Sequence, residues 1–274
     1  TGGEPLMRAD LEECGREIMK RGFPWGMVTN GYMLNEQKLH SLIRAGLRTI
    51  TVSLDGLNDT HNWFRGNDKS YEKSLRAVEL IARSGLTYDV ATSVFQDNIS
   101  QLDELYNILL GLNVKHWRLF TIFPRGRASE NEKLKPDGIL LKKLLDLISE
   151  KNKEGKMRLN YGCEGFIGDY EGESRDYFFF CRAGINVASV LVDGSVSACP
   201  SLRADFIQGN IYKDNFADVW NTRYQVMRSR EWTKTGECDG CKYYKWCCGN
   251  GLHLRNEKDG SLMFCHIKAM ESNT

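Results

Sequence analysis

The cysteines near the end of the chain have the spacing best suited to chemistry. Cys238, Cys241 and Cys247 follow the pattern C-x2-C-x5-C, and Cys265 arrives after a short excursion. Packing alone gives no reason for four thiols at this spacing, whereas soft thiolates so placed hold a metal or an iron–sulfur cluster. Tyr243, Tyr244, Trp246 and Phe264 stand beside them in sequence and suit a shield against water, which tunes such a site. His253 and His266 read as hydrogen-bond partners rather than ligands. Four further cysteines, Cys163, Cys181, Cys199 and Cys248, are candidates for a second centre, and Cys14 reads as a small core residue within a helix. Alternating residues on both sides of Asp193-Gly194 predict a hairpin with a type I′ turn, which sets Cys199 near the strand that follows Cys181.

Composition narrows the setting. Seven of the nine cysteines lie after residue 180, but the 274-residue chain lacks the basic and apolar regions of a signal peptide. No apolar run approaches the roughly 18–20 residues that span a bilayer. A soluble, cytoplasmic protein is expected, and in a reducing compartment C-x2-C pairs hold metal more often than they form disulfides. The net charge is +1 with no long run of one sign, so neither nucleic acid nor a membrane is expected as a partner. A hydrophobic content of 41% suffices for a packed core. The sequence opens on Thr1-Gly2-Gly3-Glu4-Pro5 without Met and is expected to be cut from something longer.

Something must position these residues, and the first half of the chain alternates helical and strand patterns. Leu6, Leu11, Ile18 and Met19 mark a helix up to Gly22, and Gly26 to Gly31 reads as a short buried strand entering a turn at Asn30. A helix is predicted from Asn35 to Ala45, and the β-branched run from Arg48 to Gly56 predicts a strand. Ser70 is placed as the cap of a helix whose apolar face is Leu75, Val78, Ile81 and Ala82. Strands at Tyr88–Phe95 and His116–Ile122 flank a helix around Leu102–Leu109, and Asp137–Lys151 is another amphipathic helix. This alternation predicts parallel strands joined by right-handed crossovers, with functional groups at the strands' C-terminal ends. After the charged, breaker-rich stretch Lys151–Lys156 the composition shifts to glycine, aromatics and cysteine, with one further helix at Asn215–Arg230. Two domains are expected, 1–155 and 156–274.

With that array and the cysteine block on one chain, the sequence resembles a radical S-adenosylmethionine (SAM) enzyme carrying the SPASM extension, which binds auxiliary iron–sulfur clusters. Gly2-Gly3-Glu4-Pro5 is similar to the family's GGEP segment. The resemblance covers essentially the whole chain. It implies an α/β fold: a partial (β/α)6 TIM-like barrel with its first strand missing, followed by a small cysteine-rich α+β domain. It also implies SAM and [4Fe–4S] clusters as cofactors. Carried over residue by residue, Gly2, Gly3 and Glu4 receive the amino group of SAM, and Ser53 and Arg65 hold its carboxylate and ribose. Asp55 binds ribose or shapes the Asp-Gly turn, and Thr121 lies beside the adenine, where backbone groups bind.

Two departures from the family pattern stand out. The C-x3-C-x2-C loop that ligates the SAM-binding cluster is not among these 274 residues; it is expected upstream of Gly2, so this chain alone is expected to be incomplete for catalysis. In the auxiliary domain, Cys238, Cys241, Cys247 and Cys265 match a complete distal cluster. The proximal cluster keeps Cys181 and Cys199 but has Gly251 at its last ligand position, with Cys163 a candidate third ligand and Cys248 a candidate substitute. A proximal cluster with an open iron position is therefore one expectation. The resemblance implies hydrogen abstraction from a peptide or protein side chain, with an electron donor such as flavodoxin or ferredoxin. The rival is a non-catalytic zinc protein whose C-x2-C pairs build an interaction module.

Overall fold

The computed structural model of the chain describes residues 3–202 and 206–272. Five strands form one sheet: β1 (Trp25–Thr29), β2 (Leu47–Ser53), β3 (Thr87–Val94), β4 (His116–Thr121) and β5 (Arg158–Tyr161). They lie in sequence order and every neighbouring pair is parallel. Helices α1 (Leu11–Lys20), α2 (Glu36–Arg44), α3 (Asn58–Arg65), α4 (Ser70–Ala82), α5 (Leu102–Gly111) and α6 (Gly138–Glu154) fall around and between them. This is the α/β class expected from the alternation of patterns.

Strand periodicity divides the sheet into two unlike faces. Met27, Ile50, Val52, Val90, Val94, Trp117, Leu119 and Leu159 are buried on one. The other carries Thr49, Thr51, Ser53, Asp89, Ser93 and Arg118, tied together where Thr51 Oγ1 donates to Asp89 Oδ1 at 2.5 Å and Arg118 Nη2 approaches Asp89 Oδ2 at 2.7 Å. A closed barrel fills its interior with branched apolar layers. Here that face is polar, as suits a surface lined for a ligand.

Several local elements differ from the sequence-based expectation. Residues 5–7 form a single 3₁₀ turn capped by Glu4, so α1 begins only at Leu11. Helix α3 has no counterpart in the sequence pattern, because Asn58-Asp59-Thr60-His61-Asn62 has no apolar period; Gly66, at φ 65°, closes it. Ser70 does not cap α4, since its hydroxyl sits 3.1 Å from His61 Nε2 inside the protein. The single helix expected over 215–230 is two short ones, α8 (Phe216–Thr222) and α9 (Gln225–Arg228).

The chain divides into two compact units, one made of Gly3–Thr121 and Lys143–Gly162, the other of Ile122–Lys142 and the residues from Cys163 onward. The second holds a three-stranded antiparallel sheet, β6 (Ser189–Val190), β7 (Ser195–Ser197) and β8 (Gly209–Asn210). The hairpin between β6 and β7 forms as expected but not with a type I′ turn. Asp193 is not in the positive-φ region that such a turn requires; Gly194 alone supplies it, at φ 81°, after a turn closed by Gly194 N–H donating to Leu191 O at 3.0 Å. Val196, Ala198, Leu202, Val219, Tyr224 and Met227 form this unit's own core. Short helices α7 (Glu171–Ser174), α10 (Tyr244–Cys247) and α11 (His266–Glu271) complete it. Among the described residues no helix is long and apolar enough to cross a membrane.

Candidate functional site

The parallel sheet gathers most of the expected cofactor residues near the C-terminal ends of its strands. Gly2 lies outside the described residues. Gly3 takes φ 129°, and a side chain there would meet no atom within 4 Å, so glycine is required by conformation rather than by packing. The Glu4 carboxylate accepts from Leu6 N at 3.1 Å, Thr29 Oγ1 at 2.6 Å and Asn30 N at 2.7 Å. Three of its roughly four acceptor positions are thereby filled. Its observed work is to bind the opening loop to the end of β1.

Beyond β2, Asp55 is buried and its carboxylate is fully engaged. Oδ2 accepts from Arg65 Nε at 2.7 Å and Nη2 at 2.5 Å, and Oδ1 accepts from Ser93 N at 2.8 Å. Its backbone oxygen accepts from Asn98 Nδ2, and its backbone N–H donates to His61 Nδ1 at 2.9 Å. His61 is fully buried, and burial pushes its imidazole down to about 4, so near neutral pH it is uncharged with its proton on Nε2. Asp55 therefore aims Arg65, whose Nη1 makes no hydrogen bond among the described residues. The Ser53 hydroxyl, on the polar face of the sheet, is likewise without a protein partner among the described residues. Thr121 is placed differently. It shares the buried face with Trp117 and Leu119, and its hydroxyl lies 2.7 Å from the Tyr161 hydroxyl, so only its backbone could serve a ligand.

In the second unit, Cys238, Cys241, Cys247 and Cys265 all line one cavity of about 200 Å³, together with Phe166, Tyr243 and Tyr244. Local geometry explains the convergence. A 3₁₀ turn ends at Cys238, the Cys241 carbonyl accepts from Tyr244 N at 3.0 Å, α10 ends at Cys247, and Cys265 precedes α11. The Cys247 thiol is pushed up to about 12, by burial first and then by Cys265, with Cys238 and Cys241 adding to it. Four thiolates this close repel one another, and only a cationic centre among them lets all four ionise.

Among the described residues no three His, Cys, Asp or Glu side chains gather tightly enough to hold a single metal ion. A tetrahedral zinc bonded at about 2.3 Å needs sulfurs roughly 3.8 Å apart. A cluster gives each thiolate its own iron and accepts a wider ring. Four thiols lining one cavity are a donor set that fits an iron–sulfur cluster.

The remaining cysteines are not brought into this cavity. Cys163 and Cys248 are exposed, and Cys181 and Cys199 pack half-buried against the core of the small sheet. Gly251, where the family pattern places a ligand, is closed by packing. A Cβ on it would lie 2.6 Å from Glu164 O and 2.8 Å from His253 Cε1. Backbone cannot yield there cheaply, so Gly251→Cys is expected to cost about 1–3 kcal/mol in a denaturant titration and to add no iron. His253 tilts against Phe123 at 5.0 Å, and its Nε2 has no hydrogen-bond partner among the described residues. Burial and the neighbouring Arg125 hold its imidazole at about 4. Phe166 is not legible in the sequence as part of this site, being about 70 residues distant from the cysteine block, yet it lies 6.0 Å from Tyr243, ring to ring, on the cavity wall.

Residues 1–109 match the model of the Radical SAM superfamily, and residues 181–242 match SPASM, an iron–sulfur cluster-binding domain. The AdoMet-dependent heme synthase of Methanosarcina barkeri is 27% identical over 271 residues, covering 91% of this chain and 75% of that protein. The mycofactocin maturase MftC of Mycolicibacterium smegmatis is 27% identical over 256 residues, 90% of this chain and 64% of that protein. The solved structure of native anSMEcpe with bound AdoMet and Kp18Cys peptide shares the fold, with a TM-score of 0.72 at 18% identity over 99% of this chain and 80% of that one.

Proposed function

We propose that this chain is a radical SAM enzyme with a SPASM domain, using SAM and [4Fe–4S] clusters as cofactors, and that it modifies a peptide or protein side chain by hydrogen abstraction in the cytoplasm; the matches over residues 1–109 and 181–242 support this reading. The observation that carries this reading is the joint presence of a strand-end site suited to SAM and a four-thiol cavity suited to an auxiliary cluster. A reduced SAM cluster, when bound, would supply the one electron needed to split SAM into methionine and a 5′-deoxyadenosyl radical able to abstract hydrogen. Glu4 holds the opening loop against β1 so that backbone groups at Gly3 meet the amino group of SAM. Arg65, aimed by Asp55, offers its free Nη1 to the carboxylate or ribose, and Ser53 offers a hydroxyl on the same side. Cys238, Cys241, Cys247 and Cys265 would ligate the auxiliary cluster, with Tyr243, Tyr244 and Phe166 keeping water from it.

A mycofactocin maturase and a bacteriocin biosynthesis protein among the relatives support a peptide substrate. A tetrapyrrole is the second reading, favoured by the heme synthases at 24–27% identity. The test uses the whole protein, reconstituted anaerobically with iron and sulfide and given SAM and dithionite. We expect 5′-deoxyadenosine and methionine in equal amounts by mass spectrometry; no SAM cleavage by iron-loaded protein would sink the reading. Faster 5′-deoxyadenosine release with an iron coproporphyrin, and none with peptides, would select the second.

A further inference from the structure

Arg255 is fully buried, and among side chains so enclosed only Trp117 is larger. A guanidinium does not lose its proton inside a protein, so a positive charge is fixed at this point and needs compensation. Its Nε donates to Gly249 O at 2.8 Å, Nη1 to Gly260 O at 2.7 Å and Nη2 to Thr233 O at 3.1 Å. No carboxylate pairs with it among the described residues. The remaining contact is Nη2 donating to Cys238 Sγ at 3.1 Å, the one partner able to carry negative charge. The backbone is shaped to allow this. Gly249 sits at φ 77°, and a Cβ there would stand 2.9 Å from Arg255 Nη2 and 2.1 Å from Thr233 Oγ1. The face of Trp232 lies 5.6 Å from the guanidinium carbon.

We propose that Arg255 is the internal counter-ion of the auxiliary cluster held by Cys238, Cys241, Cys247 and Cys265, and that it raises the reduction potential of that cluster. The proposal rests on reading those four cysteines as cluster ligands. Reduction adds one electron, from a low-potential reductant such as dithionite, and makes or breaks no bond. The extra negative charge is stabilised by a fixed cation in a low-dielectric setting and by a hydrogen bond to a ligand sulfur. Arg255 acts through Cys238 and is a positioning residue, which also ties three loops together.

The test compares whole wild-type protein with Arg255→Gln and Arg255→Lys in a redox titration followed by electron paramagnetic resonance. The auxiliary signal is the one that Cys241→Ala removes. At a fixed potential the reduced-to-oxidised ratio in Arg255→Gln is expected to fall at least tenfold, equivalent to about 59 mV for one electron. Arg255→Lys keeps the charge and is expected to shift less. Equal potentials in wild type and Arg255→Gln would overturn the proposal. Should Arg255→Gln fail to load a cluster, pulsed resonance on wild-type protein with ¹⁵N-arginine decides: coupling of one arginine nitrogen to the reduced cluster is expected, and its absence overturns the proposal. Wild-type protein without any iron–sulfur signal after Cys241→Ala subtraction would instead overturn the cluster assignment, and the inference with it.

Discussion

Cys247→Ala is expected to strip the auxiliary domain of its cluster, lowering the iron bound per chain by about four. The thiol is half-buried, and its neighbours in the cavity are the other three candidate ligands. Removing one donor leaves an iron open to water and the remaining thiols without the charge balance that lets them ionise. Metal binding also contributes to folding; for structural zinc the apparent figure is about 10–16 kcal/mol. The second unit is therefore expected to melt at markedly lower temperature in this variant. Iron and sulfide analysis with thermal denaturation checks both effects. Alanine at Cys163, Cys181, Cys199 or Cys248 is expected to leave the iron of this site in place, since none of them lines the cavity. Undiminished iron in Cys247→Ala would refute the assignment, and colourless wild-type protein with one zinc would favour the interaction-module alternative.

The second large effect is expected at Asp55. Asp55→Ala removes the acceptor for both Arg65 and the Ser93 N–H. Breaking a buried ion pair from one side costs about 3–5 kcal/mol, and the lower end applies here because the Arg65 side chain is 29% exposed and keeps part of its hydration. Asp55→Asn keeps an acceptor for Ser93 N–H and is expected to lose less. Urea unfolding measures the stability, and equilibrium dialysis with labelled SAM measures the second consequence: Arg65, no longer aimed, binds SAM at least tenfold more weakly. Unchanged stability combined with lost SAM binding would mean that Asp55 touches the ligand itself.

Much of the site is legible in the sequence because its determinants are local. Ligand spacing along a short stretch survives folding, so the intervals between Cys238, Cys241 and Cys247 suffice to group them. Strands and helices with strict periodicity are legible too, down to Ser53 at a strand end. Helix α3 is not, since His61 and Asn62 bury polar side chains against Asp55, Ser70, Asp68 and Tyr71 rather than presenting an apolar stripe. The type I′ turn fails for a similar reason: Asp-Gly is compatible with more than one hairpin, and the pairing of β7 with both β6 and β8 selects among them.

The sequence by itself carried the α/β alternation, the family resemblance and the grouping of the four cysteines, because periodicity and spacing are properties of neighbouring residues. Tertiary structure alone decided what the partners do. It engaged Glu4 and Asp55 with protein donors from β1 and β3, and it turned Thr121 to the buried face. It closed Gly251 against Glu164, residues 87 positions apart in sequence, and laid Arg255 on Cys238. Such contacts join segments that are distant in sequence, and whether a carboxylate or a guanidinium faces a ligand or a neighbour depends on which segments the fold brings within hydrogen-bonding distance.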